Sequence, residues 1–201
     1  MSVQPDLTTL HDGPAARLAL HPLRRELLAR LTAPASAAQA ARDLGLARQK
    51  VNYHLRLLED AGLVELVEER MVGNCTERVM RSKAKSFVLA PGALGDLAPD
   101  PDAIRDRFSA AYLTAVASRA VQDLGELGSA AEAADKKLAT LCIETEVRFA
   151  SPSAQQSFAR ELASAVRDIA ARHHDDRAPG GRRFRFFVGG YPARTPTGDA
   201  S

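Results

Sequence analysis

The side chains best equipped for chemistry in this chain of 201 residues lie in one short run, "RQKVNYHLR", residues 48–56. Its groups bind rather than react. A guanidinium pairs in bidentate fashion with guanine or phosphate, and Asn and Gln amides match the adenine edge. Val51, Leu55 and Leu58 recur at the spacing of one helix face. At 100° per residue they turn inward, so Gln49, Tyr53 and Arg56 face out with Arg48, Lys50 and Asn52 flanking them. His54 completes the set of candidate contacts, better suited to packing or to a phosphate than to a base.

Other chemistries find less support. Cys75 and Cys142 are the only cysteines, which suits a reducing cytoplasm and excludes a disulfide scaffold. No spacing brings Cys142 to His173 or His174 as nucleophile and base, and there is no phosphate-binding loop or nucleophile elbow. The expectation is therefore a protein that is not an enzyme. His173 and His174 are adjacent, so on a helix they diverge by about 100° and grip one ion poorly, even with Asp175 and Asp176 nearby. No metal and no cofactor are expected. No apolar run approaches the roughly 20 residues of a membrane span, and the N-terminus lacks the layout of a secretion signal. Arg-over-Lys and Ala-rich usage is typical of GC-rich bacterial genomes.

Net charge is only +2, but its distribution is uneven. Between Pro14 and Leu58, Arg17, Arg24, Arg25, Arg30, Arg42, Arg48, Lys50 and Arg56 face two acids, a net of +6. From Arg70 to Lys85 the net is +4, and Glu59, Asp60, Glu65, Glu68 and Glu69 lie between the two basic segments. This pattern predicts either a polyanion-facing surface with a repelled acidic back or a self-neutralising solvated one.

The elements that must position these groups can be read along the chain. Residues 1–14 read as a flexible N-terminus. "LALHPLRRELLARL" reads as one helix with Pro22 in its first turn. Ser36 and Gln39 make a capping-box pattern before a short alanine-lined helix that Gly45 ends. The helix of the opening run follows and stops at Gly62. Two extended segments, 63–70 and 77–89, then flank a turn at Gly73-Asn74.

Residues 18–89 thus read helix, helix, tight turn, helix, hairpin. The "HPLR" opening, the "HLRLLEDAGLV" run and the hairpin after it resemble the winged helix-turn-helix of ArsR-type bacterial transcriptional regulators, over roughly residues 15–90. The resemblance implies a homodimeric repressor of a double-stranded DNA operator, with a recognition helix at residues 47–60 and a wing adding Arg70, Asn74 and Arg78. Ala47 departs from the pattern, where related sequences often carry a hydroxyl cap. A metal- or thiol-responsive sensor of the same type and a winged-helix protein-interaction module without DNA binding are the alternatives.

Beyond the wing, residues 91–102 read as a Pro/Gly/Asp-rich linker and residues 103–192 as a dimerisation or effector domain. A long helix capped by Asp102 is expected to run to about Leu127, then a strand ending at Phe149, a helix through Phe158 and Ile169, and a second strand through Phe186. The expected fold class is mainly α with small β: a winged helix-turn-helix domain, a long dimerisation helix and a small β-α-β module, with a flexible tail at 193–201. Phe108, Tyr112, Phe149, Phe158 and Phe186 are candidates for a pocket holding an unknown small-molecule effector, or else for core and dimer interface.

Overall fold

Leu27, Leu31, Val51, Leu58 and Leu63 are completely or almost completely buried, and the elements of residues 1–138 are arranged around them. The structure is a computed structural model and describes residues 4–73 and 75–194. The chain is mainly α-helical with small sheets and divides into two compact units, Met1–Leu138 and Ala139–Ser201.

The first unit opens with β1 (Leu7–Leu10) and α1 (Gly13–Leu20), whose first turn is capped by the Asp12 carboxylate accepting from the Ala15 amide at 2.5 Å. The single helix expected across Pro22 is two: α1 ends, and α2 (Pro22–Arg30) begins after His21 at φ −64°, ψ 129°. A proline excludes the α conformation from the residue before it, so the break belongs at His21. β2 (Ala35–Ser36) leads into α3 (Ala37–Leu44), where the Ser36 hydroxyl accepts from the Gln39 amide at 3.2 Å, as the capping pattern predicted. Ala37, Ala40 and Ala41 are buried, and such small side chains let neighbouring helices approach closely. Gly45 adopts φ 63°, which closes the short turn into α4 (Arg48–Asp60).

β3 (Val64–Val72) and β4 (Cys75–Ser82) form the expected antiparallel hairpin, and β2 adds to the outer edge of β4. Val67 is an extra residue between the Leu66–Met80 and Glu68–Val79 pairs, a bulge that bends the strand. β5 (Ser86–Leu89) pairs in parallel with β1, Leu7 opposite Ser86 through Leu10 opposite Leu89. Residues 7–10 are therefore a strand and not part of a loose N-terminus; four residues between Asp6 and His11 were too short a signal to read without their partner.

Residues 91–102 are likewise no free linker. They form 3-10 turns, Pro91–Leu97 and Pro101–Ala103, tied to α5 (Ala110–Ala133). The Gln122 side-chain oxygen accepts from the Gly92 amide at 3.1 Å, and Arg119 bridges Asp100 and Asp102 at 3.1 and 2.7 Å. The cap of α5 is Ser109, accepting from the Tyr112 amide at 3.1 Å, rather than Asp102. The helix also runs through Gly125 and Gly128, where a stop was expected. Gly125 serves packing instead: a Cβ built there falls 2.5 Å from His11 Cε1 and 2.8 Å from Thr9 Cβ.

The second unit contains α6 (Pro152–His173), capped by Ser151 accepting from the Ala154 amide at 3.2 Å. Residues 139–149 and 182–192, expected as the strands of a β-α-β module, carry no strand pairing. Alternating side chains make a segment competent for a sheet, but a strand exists only through its ladder, and within one chain these two have none. Of the expected tail at 193–201, residues 195–201 lie outside the described residues.

Helix propensity alone favours Gly125→Ala by up to about 1 kcal/mol. The clash with His11 and Thr9 reverses that sign, and the substitution is expected to destabilise the chain by about 1–3 kcal/mol in urea unfolding. A gain in stability would show that β1 does not pack on α5.

Candidate nucleic-acid interface

α4 is held in rotation by what it buries. Val51, Leu55 and Leu58 lie in the core together with Leu27, Leu31 and Ala40. The remaining surface exposes Arg48, Gln49, Lys50, Asn52, Tyr53 and Arg56. Positions 49, 52, 53 and 56 share one face by their three- and four-residue spacing. Arg48, Lys50 and Arg56 form no salt bridge or side-chain hydrogen bond among the described residues, although the nearby charges of Arg56 and Arg48 help to lower the pKa values of Glu59 and Glu77. Ala47, in the cap position, supplies no side-chain bond to the first turn. Those amides are left for water or a bound anion.

Arg48, Asn52 and Arg56 also line one wall of a cleft of about 200 Å³. Thr76, Glu77 and Arg78 of β4 form the opposite wall. Such a cleft beside an exposed basic helix is where a nucleic-acid backbone can be held between helix and wing.

His54 does not belong to this face. It is buried, its ring 5.3 Å from His21 and 5.2 Å from Tyr53, and its Nδ1 has no hydrogen-bond partner. Position 54 lies three residues after Val51, on the apolar side of the helix, which removes it from the base-reading set. Burial, reinforced by the nearby His21, Arg24 and Lys50 charges, pulls its pKa below the ordinary 6.5. The folded protein thus holds His54 neutral at pH 7.

The wing arginines differ from those of α4. Arg78 makes a bidentate pair with Glu59 of α4, at 2.7 and 3.0 Å, and approaches Glu69 at 3.5 Å. Arg70 pairs with Glu77 at 2.9 Å, and Arg81 with Glu65. Each of Glu59 and Glu77 is held below its usual range, the first by Arg78 and the second by the Ser36 hydroxyl and then Arg70. The acidic segment between the two basic ones is therefore no repelled back side. Three of its carboxylates fold onto the wing and neutralise much of its charge, a contact that sequence spacing does not reveal because Glu59 and Arg78 are 19 residues apart. Asn74 lies outside the described residues.

Of the aromatic residues proposed as a pocket, Phe108 and Tyr112 belong to the first unit and Phe149, Phe158 and Phe186 to the second. Phe108 is completely exposed and Phe186 is 66% exposed, while Tyr112 lies beneath the Arg107 guanidinium, 5.6 Å from ring centre to carbon. Phe149 and Phe158 do meet, their ring centres 5.2 Å apart. No group of three His, Cys, Asp or Glu side chains converges on a metal position among the described residues, and no helix among them is long and apolar enough to cross a membrane.

His54 gives a pH prediction with a definite sign. Its lowered folded pKa means that stability is fully present above the unfolded value near 6.5 and is lost as pH falls below it. His54→Gln is expected to cost stability at pH 7.5, and its melting-temperature gap to the unmutated chain should narrow by pH 5.5. A gap that widens with acid would contradict the buried neutral imidazole.

Residues 19–67 match the family model of a helix-turn-helix domain. A search of curated proteins finds no match to the chain. The matched segment runs from the end of α1 into β3 and encloses α3, the Gly45 turn and α4. The N-terminal part of the chain is a helix-turn-helix domain, a module that supports DNA-binding regulation.

Proposed function

We propose that this chain is a sequence-specific DNA-binding transcriptional repressor of winged, ArsR-like type that acts in the cytoplasm as a homodimer. The observation that carries the reading is the exposed face of α4, where Arg48, Lys50 and Arg56 have no salt bridge among the described residues while the wing arginines Arg70, Arg78 and Arg81 do. An α-helix fits the major groove of B-DNA, and residues in its first half are the ones that reach base edges. Gln49 and Asn52, in that half, are suited to adenine, and Arg56, one turn further along the same face, to guanine or a phosphate. Arg48 and Lys50 neutralise phosphates. Two copies related by a two-fold axis place their α4 helices about 10 bp apart, or a multiple of that.

The wing plays a lesser part than the charge count suggests. Arg78 is chiefly a strut between β4 and α4, and Arg70 contacts a phosphate only by giving up Glu77. Such exposed pairs contribute about 1 kcal/mol or less, so the exchange is cheap. A small molecule regulates such a protein only by binding one arrangement of the dimer more tightly than another.

Arg56→Ala is expected to weaken binding to duplexes selected from a random pool by about 1–3 kcal/mol, with the melting temperature unchanged. Lys50→Ala should reduce the slope of log affinity against log salt by about one. Fluorescence anisotropy over a salt series reads both. Affinity that ignores salt, or Arg56→Ala that melts early while binding normally, would overturn the assignment of this face.

A further inference from the structure

The second unit, taken alone, is unfinished. Leu141 is 70% exposed, Ile143 82% and Val188 61%, and the α6 stripe of Phe158, Leu162 and Ile169 is also exposed. Together with Val147, Phe149, Phe184 and Phe186, which are 36–66% exposed, and at roughly 150–250 Å² for an aromatic side chain and somewhat less for an aliphatic one, the uncovered surface amounts to roughly 1,000 Å² per copy. A stable interface of standard size removes about 800 Å² from each partner.

The two segments that lack pairing are complementary. Leu141, Ile143, Thr145, Val147 and Phe149 alternate with Cys142, Glu144, Glu146 and Arg148. In the other, Phe184, Phe186 and Val188 alternate with Arg183, Arg185 and Phe187, and Arg183 lies 3.9 Å from Asp176 of its own chain. One segment thus carries two acids at a spacing of two, the other two arginines at the same spacing, and each has an apolar face. Opposite charges facing each other across paired strands stabilise the pair, and like charges destabilise it.

We infer that residues 140–149 of one copy pair with residues 182–188 of a second copy, building one sheet from both chains with the two α6 helices covering its apolar side. This inference rests on the homodimer reading above and names the surface that makes the dimer. Two copies supply four strands. A two-stranded sheet from one copy is marginal, whereas three or more strands on a helix layer are self-sufficient. The area requirement, the strand count and the charge pattern all favour a second copy of this chain as the occupant.

The test is a charge exchange in the full chain. One variant carries Glu144→Arg and Glu146→Arg; the other carries Arg183→Glu and Arg185→Glu. Sedimentation equilibrium should give the unmutated protein at twice 21.6 kDa. Each variant should dimerise at least about tenfold more weakly, because four attractive pairs become repulsive. Mixing the variants in equal amounts should restore the dimer, since the all-basic chain then faces the all-acidic one; this rescue also shows that neither variant is merely misfolded. Variants that remain dimeric overturn this surface but leave the homodimer standing on another face. Variants that stay monomeric on mixing overturn it too, because the pairing is then not between copies. An unmutated chain that is monomeric overturns the homodimer reading itself.

Discussion

The rotation of α4 about its own axis is fixed by three side chains. Val51, Leu55 and Leu58 fill a core shared with α2, α3 and the base of the wing, and each contributes about 1.5–3 kcal/mol by leaving water. Turning the helix by even one position exposes part of that stripe and buries Asn52 or Arg56, whose polar groups have no partner inside. The same constraint that makes the domain stable therefore aims its amide and guanidinium groups outward. Stability and recognition occupy opposite sides of one helix, which is why the apolar pattern alone points to the functional surface.

The wing obeys a different constraint. Its length and its bulge at Val67 come from strand pairing, its base is packed into the core with α4 through Leu63, Val64 and Met80, and the Arg78–Glu59 pair bridges the two elements at the surface. That pair is half-exposed and worth about 1 kcal/mol or less in stability. It also shifts the balance of charge. The wing arginines Arg70, Arg78 and Arg81 are paired with carboxylates, whereas Arg48, Lys50 and Arg56 on α4 have no salt bridge among the described residues. A bound phosphate can compete for an exposed arginine at small cost, so a wing at rest and a wing against DNA can differ in their partners without differing in fold.

Much of this was legible in residue types and spacing. The three-helix order, the Ser36 cap, the Gly45 turn, the inward stripe of α4 and the hairpin at Gly73 all follow from local patterns, because helix faces, caps and positive-φ turns are encoded within a few residues. What was not legible depended on distant partners. β1 gains its identity from β5, some 79 residues away in register. Glu59 takes its role from Arg78. Gly125 looked like a helix stop and proved to be a place where His11 and Thr9 come close. His54, a candidate contact better suited to packing or a phosphate than to a base, proves to be packed: it is buried against His21. In the second unit the alternation was correctly noticed but does not by itself make strands; pairing does.

The central claim is that the exposed face of α4 is what meets DNA. The most direct measurement is an amide NMR titration of the full chain with a duplex selected from a random pool, read residue by residue. The account predicts that the largest shifts map to residues 48–56, with smaller ones at the wing. Shifts confined to other surfaces, with α4 unmoved at saturation, would contradict it.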